Sequence, residues 1–208
     1  MKINRYRKAA FLLGAYHSRQ FPDDTGREVV FAGRSNSGKS SVINTLTGNK
    51  ALARVSKTPG RTQQINFFTI EPEIRLVDLP GYGYANVPGS VKNHWGKLIS
   101  AYFNGRKSLA GVVLITDIRR QLTDFDRQML DWCIEFELPV HVLLNKADKL
   151  SYGATKEALY KTDRLIKPRQ ASSQLFSALK RTGVNELCTI LDNWLVHVNP
   201  GKRMAPDC

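Results

Sequence analysis

Long apolar runs are missing from this chain of 208 residues. The longest, at 111–115 and 139–144, fall far short of the roughly 20 residues an α-helix needs to cross a bilayer. No membrane partner is therefore expected. Cysteine is scarce and odd in number: Cys133, Cys188 and Cys208 lie far apart, with no CxxC or Cys/His ligand spacing. That argues against a disulfide framework or a zinc site. Cys133 and Cys188 fall in apolar helical patterns and read as reduced core residues. Carboxylates are outnumbered, 18 against 31 basic side chains, for a net charge of +13. Excess positive charge attracts polyanions without naming one, so nucleic acid and a plain basic surface both remain open. Internal repeats, low-complexity segments and a linker between two large domains are absent as well. The first seven residues are basic, but the apolar stretch after them is short and no small-residue cleavage site follows. No signal peptide is expected, and the cytoplasm is the expected compartment.

What is there is one ordinary core's worth of apolar residues, 42% of the chain, arranged in alternating strand and helix patterns. Strands are expected at 28–33, 65–70, 74–78, 111–117, 140–145 and, more weakly, 174–177. Helices are expected at 40–47, 91–103, 124–136, 155–167 and 184–198. The three-residue link between 70 and 74 forces a hairpin, and so one antiparallel edge strand. The near-continuous apolar runs at 111–117 and 140–145 suit central parallel strands. The expected fold is α/β: a six-stranded, mostly parallel sheet with helices on both faces. Residues 1–24 read as an N-terminal extension, 25–198 as a single domain, and 199–208 as a loose C-terminal tail. The chain is expected to be a monomer.

The strongest local signal is Gly33-Arg34-Ser35-Asn36-Ser37-Gly38-Lys39-Ser40, followed by Ser41. It fits G-x-x-x-x-G-K-[ST] between an apolar strand and a helix. The glycines let backbone N–H groups converge on phosphate oxygens at a helix N-terminus. Lys39 would reach the β- and γ-phosphates, and the Ser40 hydroxyl would bind Mg²⁺. Asp78-Leu79-Pro80-Gly81 closes another strand. Asp78 would hold the metal through water, while the Gly81 N–H would sense the γ-phosphate. Asn145-Lys146-Ala147-Asp148 closes a third. Asp148 can accept two hydrogen bonds from guanine, which adenine cannot offer; Lys146 would cover the base and Asn145 would tie this loop to the phosphate loop. Between these motifs lies the polar stretch 57–63, where Thr62 is the expected switch threonine, Thr58 its competitor, and a plain surface turn the bland reading. Phe176-Ser177-Ala178 ends the last strand, where a backbone N–H could meet the guanine carbonyl.

These motifs, in this order, resemble the P-loop GTPases, and in detail the EngB (YihA/YsxC) family of bacterial ribosome-biogenesis GTPases. The resemblance is carried by GRSNSGKS at 33–40, KTPGRTQ at 57–63, DLPGYGYA at 78–85 and NKADKL at 145–150. It implies a G domain that binds GTP and GDP and hydrolyses GTP with Mg²⁺. Thr62, after Pro-Gly-Arg, becomes the metal-binding switch threonine, and Gly60, Arg61, Gln63 and Gln64 join the nucleotide-facing set. Lys39, Thr62 and Gly81 are then the residues nearest the chemistry. The family also implies a role in assembling the large ribosomal subunit and in normal cell division and septation. Signalling GTPases commonly carry glutamine after the DxxG glycine; Tyr82 stands there instead, so a slow hydrolysis is expected. Asn36 matches the asparagine of potassium-stimulated relatives, which fits either K⁺ near the β- and γ-phosphates or mere support of the loop. Three rivals stand beside this reading. Asp148 argues against a P-loop ATPase or kinase. A binding module that keeps GTP without turning it over is the second. A tRNA-modifying or translational GTPase would need extra domains for which this length has no room.

Overall fold

A computed structural model describes residues 2–53, 64–83, 89–120 and 122–196. Along the chain the elements are β1 (Ala10–Ala15), β2 (Arg27–Gly33), α1 (Lys39–Thr47), β3 (Ile65–Glu71), β4 (Ile74–Asp78), α2 (Gly89–Gly105), β5 (Leu109–Asp117), α3 (Asp124–Glu135), β6 (Val140–Asn145), α4 (Tyr152–Ile166), β7 (Ser172–Leu175) and α5 (Val184–Val196), with short 3₁₀ turns between. The strands form one seven-stranded sheet in the order β1-β3-β4-β2-β5-β6-β7. From β4 through β7 the pairings are parallel; β1–β3 and β3–β4 are antiparallel.

The apolar runs resolve into two layers. In β2, Val29 and Phe31 face one side while Val30 and Ala32 face the other; in β5, Val113 and Ile115 oppose Val112 and Leu114. One layer packs under α2 and α3 through Leu98, Ile99, Tyr102, Met129 and Cys133. The other packs under α1 and α5 through Val42, Ile43, Leu46, Leu187, Cys188 and Leu191. A strand covered on both faces has no polar side to show, which is why these runs do not alternate in the sequence. Both described cysteines are buried, and burial pushes the Cys133 thiol up to about 12. Cys208 lies outside the described residues.

Two expectations need correction. The sheet has seven strands, not six, and β3 is not its edge. The stretch read as preceding the first strand supplies β1, which pairs with β3 from Ala10↔Thr69 to Ala15↔Ile65. An open β3 edge would leave a row of backbone donors and acceptors unpaired, and β1 covers it. Ahead of β1, Tyr6 is fully buried and donates its hydroxyl to Asp192 Oδ1 at 2.8 Å, while Arg5 bonds Glu71 at 3.0 Å and Asp192 at 3.4 Å. The last strand begins two residues earlier than expected, at Ser172. The expected loose tail at 199–208 lies outside the described residues.

At the opposite end of β2 from the phosphate loop, Glu28 is wholly buried. Its carboxylate accepts from Arg75 Nη1 at 2.9 Å, from Tyr102 Oη at 2.6 Å and from Arg106, whose Nε stands at 3.2 Å. Arg75 and Arg106 also donate to the backbone carbonyls of Thr25 and Pro22. The cluster therefore locks the 22–25 segment, β4 and α2 onto β2.

Candidate functional site

Parallel register brings the motifs to one edge. Phe31 of β2 pairs with Asp78 of β4, and Asp117 of β5 with Asn145 of β6. The carboxyl ends of β2, β4, β5 and β6 therefore open onto the same crevice, the place where doubly wound sheets bind ligands.

The 33–40 loop leaves β2 and enters α1 at Gly38, whose φ of 94° is open to glycine. A Cβ there would stand 2.3 Å from Asn145 Nδ2, so the glycine also permits the contact between the two loops. Asn145 Nδ2 donates to Ser37 O at 2.9 Å, and Lys146 Nζ donates to Asn36 O at 2.7 Å. Lys39 Nζ forms an ion pair with Asp78 Oδ1, the two side chains only 11% and 7% exposed. Behind them, Ser35 N donates to Tyr82 O at 2.9 Å and Leu79 N to Phe31 O at 3.1 Å. A Cβ on Gly81 would stand 3.3 Å from Ser35 Cα. The Asp78–Gly81 turn is thus seated on the phosphate loop. Buried Ser37 Oγ, Thr116 Oγ1 and Asn145 Oδ1 have no hydrogen-bond partner among the described residues, and a cleft of about 180 Å³ opens on the Asp117 side of the loop.

At the other end, Ser177 Oγ donates to Asp148 Oδ1 at 2.6 Å, and Lys149 Nζ stands 3.6 Å from Asp148 Oδ2. The Ser177 hydrogen bond is the main reason the Asp148 carboxyl is held below its ordinary range. Ala147 N donates to Phe176 O at 3.0 Å, and Thr45 Oγ1 of α1 donates to Ala178 O at 3.3 Å. Two loops far apart in sequence therefore form one wall.

Two residues of the crevice escape the sequence reading. Asp117, at the end of β5, accepts from Lys146 Nζ at 2.9 Å and from Arg119 Nη2 at 2.6 Å. The Arg119 hydrogen bond, ahead of the one from Lys146, holds its carboxyl well below the usual carboxylate range. The available signal was an aspartate closing a parallel strand, as Asp78 does. The second is Asp126, in the first turn of α3: it accepts the Tyr82 hydroxyl at 2.5 Å and the Thr123 N–H at 2.8 Å. Burial first, and Asp126 second, raise the Tyr82 phenol well above its ordinary value, so it stays a donor.

Gly60, Arg61, Thr62 and Gln63, with the competitor Thr58, lie outside the described residues. Gln64 sits at the start of β3, donating to Asn66 Oδ1 at 3.2 Å and lying over Gly14 of β1. Ser41 is exposed on α1. Of the basic side chains, Arg5 and Arg106 turn inward to carboxylates, the partly buried Asp192 and the wholly buried Glu28, because a carboxylate taken out of water needs a cation beside it. Arg119 and Arg169 are engaged with Asp117 and Asp131. Arg7, Lys8, Lys107, Arg120, Arg164 and Lys167 are exposed. Among the described residues no helix is long and apolar enough to cross a membrane.

The profile of the family described as "50S ribosome-binding GTPase" matches residues 28–146. A crystal structure of a probable GTP-binding protein engB is 24% identical, with a TM-score of 0.66 over 81% of this chain and 98% of that one. Era from Aquifex aeolicus, bound to GDP·AlF4⁻, is 19% identical, with a TM-score of 0.66 over 84% of this chain and 58% of that one. Era solved with MgGDPNP and nucleotides 1506–1542 of 16S ribosomal RNA is 22% identical, with a TM-score of 0.63 over 86% and 60%. The chain spans less than two thirds of either Era chain, and at these identities the likeness is one of fold.

Proposed function

The chain belongs to the 50S ribosome-binding GTPase family, and from that premise we propose that it is a slow GTP-hydrolysing switch that assists assembly of the large ribosomal subunit. GTP binding and GTP hydrolysis go with the family; the substrate's partner, the rate and the residue roles are our reading. The observation that carries it is the single crevice in which a lysine-bearing glycine loop and an oriented carboxylate, Asp148, are joined by the Asn145–Ser37 hydrogen bond. Phosphates at one end and guanine at the other fit that arrangement.

Mg²⁺ fits the donors present. Asp78 is buried and balanced by the Lys39 ammonium. A triphosphate that drew the ammonium to its β- and γ-oxygens would leave that carboxylate in need of another cation. The Asp78 carboxylate and the Ser40 hydroxyl are hard oxygen donors, which suit Mg²⁺; Thr62 completes the proposed set. When bound, the metal would neutralise charge on the phosphates. K⁺ beside Asn36 remains part of the proposal, as do the cytoplasm, a monomeric state and a link to cell division and septation.

Tyr82 supports a slow rate, on the order of 10⁻³ s⁻¹ without an activator. Its hydroxyl is committed to Asp126, so no amide or free hydroxyl from that position orients water. Tyr82→Phe is therefore expected to leave single-turnover hydrolysis within about twofold of wild type while losing about 1.5–3 kcal/mol of stability, the usual worth of a hydrogen bond to a charged group. Rapid-quench turnover and urea unfolding read the two separately; a tenfold drop in turnover would mean the hydroxyl takes part in the chemistry. The same observation favours the second reading, a binding module with negligible hydrolysis, which predicts no GDP in that assay.

The ribosome reading rests on the +13 charge, the exposed cations and the family. A switch needs a partner that binds its two states unequally. The GTP form is expected to sediment with large subunits or their precursors more tightly than the GDP form, and to weaken severalfold as salt is raised, because phosphate contacts release counterions. Equal sedimentation with both nucleotides, or binding no stronger than to unrelated RNA, would reduce the proposal to a basic GTPase.

A further inference from the structure

The outer face of α4 carries a pattern that nucleotide binding leaves unused. Tyr152, Lys156, Tyr160 and Arg164 recur every fourth residue, a spacing that sets neighbours along one side of a helix. All four are exposed, Tyr152 by 75% and Tyr160 by 63%. Each ring has a cation on it: Lys156 Nζ lies 4.5 Å from the Tyr152 ring centre, and the Arg164 guanidinium 5.9 Å from that of Tyr160. The core takes the helix's other side, through Thr155, Thr162 and Ile166. The stripe is therefore dispensable for packing.

Its chemistry selects among partners. A protein interface depletes charge, lysine above all, at its centre, whereas here cations interrupt the rings. An interfacial membrane helix wants a continuous apolar face, and these exposed positions alternate. Residues 149–169 hold six basic and two acidic side chains. Both acids are engaged, Glu157 with Lys161 at 2.6 Å and Asp163 as acceptor from Ser173 Oγ at 2.5 Å. Aromatic rings that stack bases, with cations that meet the phosphates between them, are how proteins hold unpaired RNA; a duplex hides its bases from such rings. We propose that this stripe of α4 is a contact surface for unpaired RNA bases, Tyr152 and Tyr160 stacking them while Lys156 and Arg164 meet the backbone. The inference deepens the ribosome reading and rests on it only for where that RNA comes from. Ser151 caps α4, accepting from Ala154 N at 3.4 Å, three residues after Asp148, so RNA on the stripe would lie beside the guanine end of the crevice.

Fluorescence anisotropy of the full chain with a twelve-nucleotide oligouridine and with an RNA duplex of equal length tests it. Wild type is expected to prefer the oligouridine at matched salt. The Tyr152→Leu/Tyr160→Leu pair should lose about tenfold or more of oligouridine affinity with duplex binding, GTP affinity and melting temperature unchanged, and the Tyr→Phe pair should keep it. Lys156→Gln/Arg164→Gln should lower the salt slope for oligouridine by about 1.4, the share of two phosphate contacts on a single strand. Oligouridine binding unchanged in the leucine pair overturns the proposal. So does equal loss for duplex, or a wild type that prefers phosphatidylserine vesicles to oligouridine. If the tyrosine dependence holds while wild type fails to sediment with ribosomal subunits, the stripe stands and the ribosome reading alone falls.

Discussion

Asp148→Asn is expected to lose GTP affinity by about 10³- to 10⁴-fold and to admit xanthosine triphosphate in its place. The guanine edge offers an N1–H and an exocyclic amine, two donors that one carboxylate can accept together. An asparagine amide turns a donor toward one of those donors, and a site built on buried hydrogen bonds rejects the mismatch by about 10⁴-fold or more. Xanthine carries a carbonyl at that position, and the amide can donate to it. Ser177 sharpens the expectation because its hydroxyl already takes Asp148 Oδ1 at 2.6 Å, which holds the carboxylate in one orientation. Ser177→Ala should therefore weaken GTP as well, but by much less, since the acceptor remains. Competition of GTP, XTP and ATP against a fluorescent guanine nucleotide measures all of this. Wild-type affinities equal for GTP and ATP, or a variant indifferent to XTP, would remove Asp148 from the base site.

Glu28→Ala is expected to destabilise the fold by about 3–5 kcal/mol, the cost of removing one partner from a buried ionic cluster. Two guanidinium groups and the Tyr102 hydroxyl would be left inside without their acceptor. Against a domain stability of about 5–15 kcal/mol, that is a large share, and it corresponds to a fall in Tm of about 6–20 °C for a chain of this size. Glu28→Gln keeps the volume and one acceptor and should lie between. The cluster sits at the end of β2 remote from the phosphate loop, so the folded fraction should bind GTP as wild type does. Differential scanning calorimetry with and without GTP separates the two effects. A loss under about 1 kcal/mol would mean that water reaches Arg75 and Arg106 and solvates them.

The two expectations differ in where they could be read. Asp148 stands in a four-residue motif whose spacing from the phosphate loop is visible in the chain. Glu28 looks like the polar start of a strand, and nothing near it announces Arg75 or Arg106. The same divide runs through the site. Lys39, Asp78 and Asn145 stand out as candidates in the chain because phosphate and guanine chemistry would demand those side chains at fixed offsets. Tyr82 was noticed only as the lack of a glutamine; that its hydroxyl is spent on Asp126 depends on how α3 packs. Asp117 was read as the last residue of a strand, and its bonds to Lys146 and Arg119 depend on the pairing of β5 with β6. The strand β1 escapes the sequence reading because only Ala15 of its six residues is buried, so no buried alternation marks it.

The sequence by itself determined the class of fold, the candidate phosphate and guanine loops and the two-sided burial of the central strands, because each is written in neighbouring residues: loop conformation in glycine placement, strand burial in unbroken apolar runs. Only the tertiary structure decided that 10–15 joins the sheet next to residues fifty or more positions away, that Arg5 and Arg106 face inward to carboxylates, and that α4 presents its rings and cations outward. Those outcomes turn on which surfaces meet, and on where each buried carboxylate finds its cation, neither of which a local pattern contains.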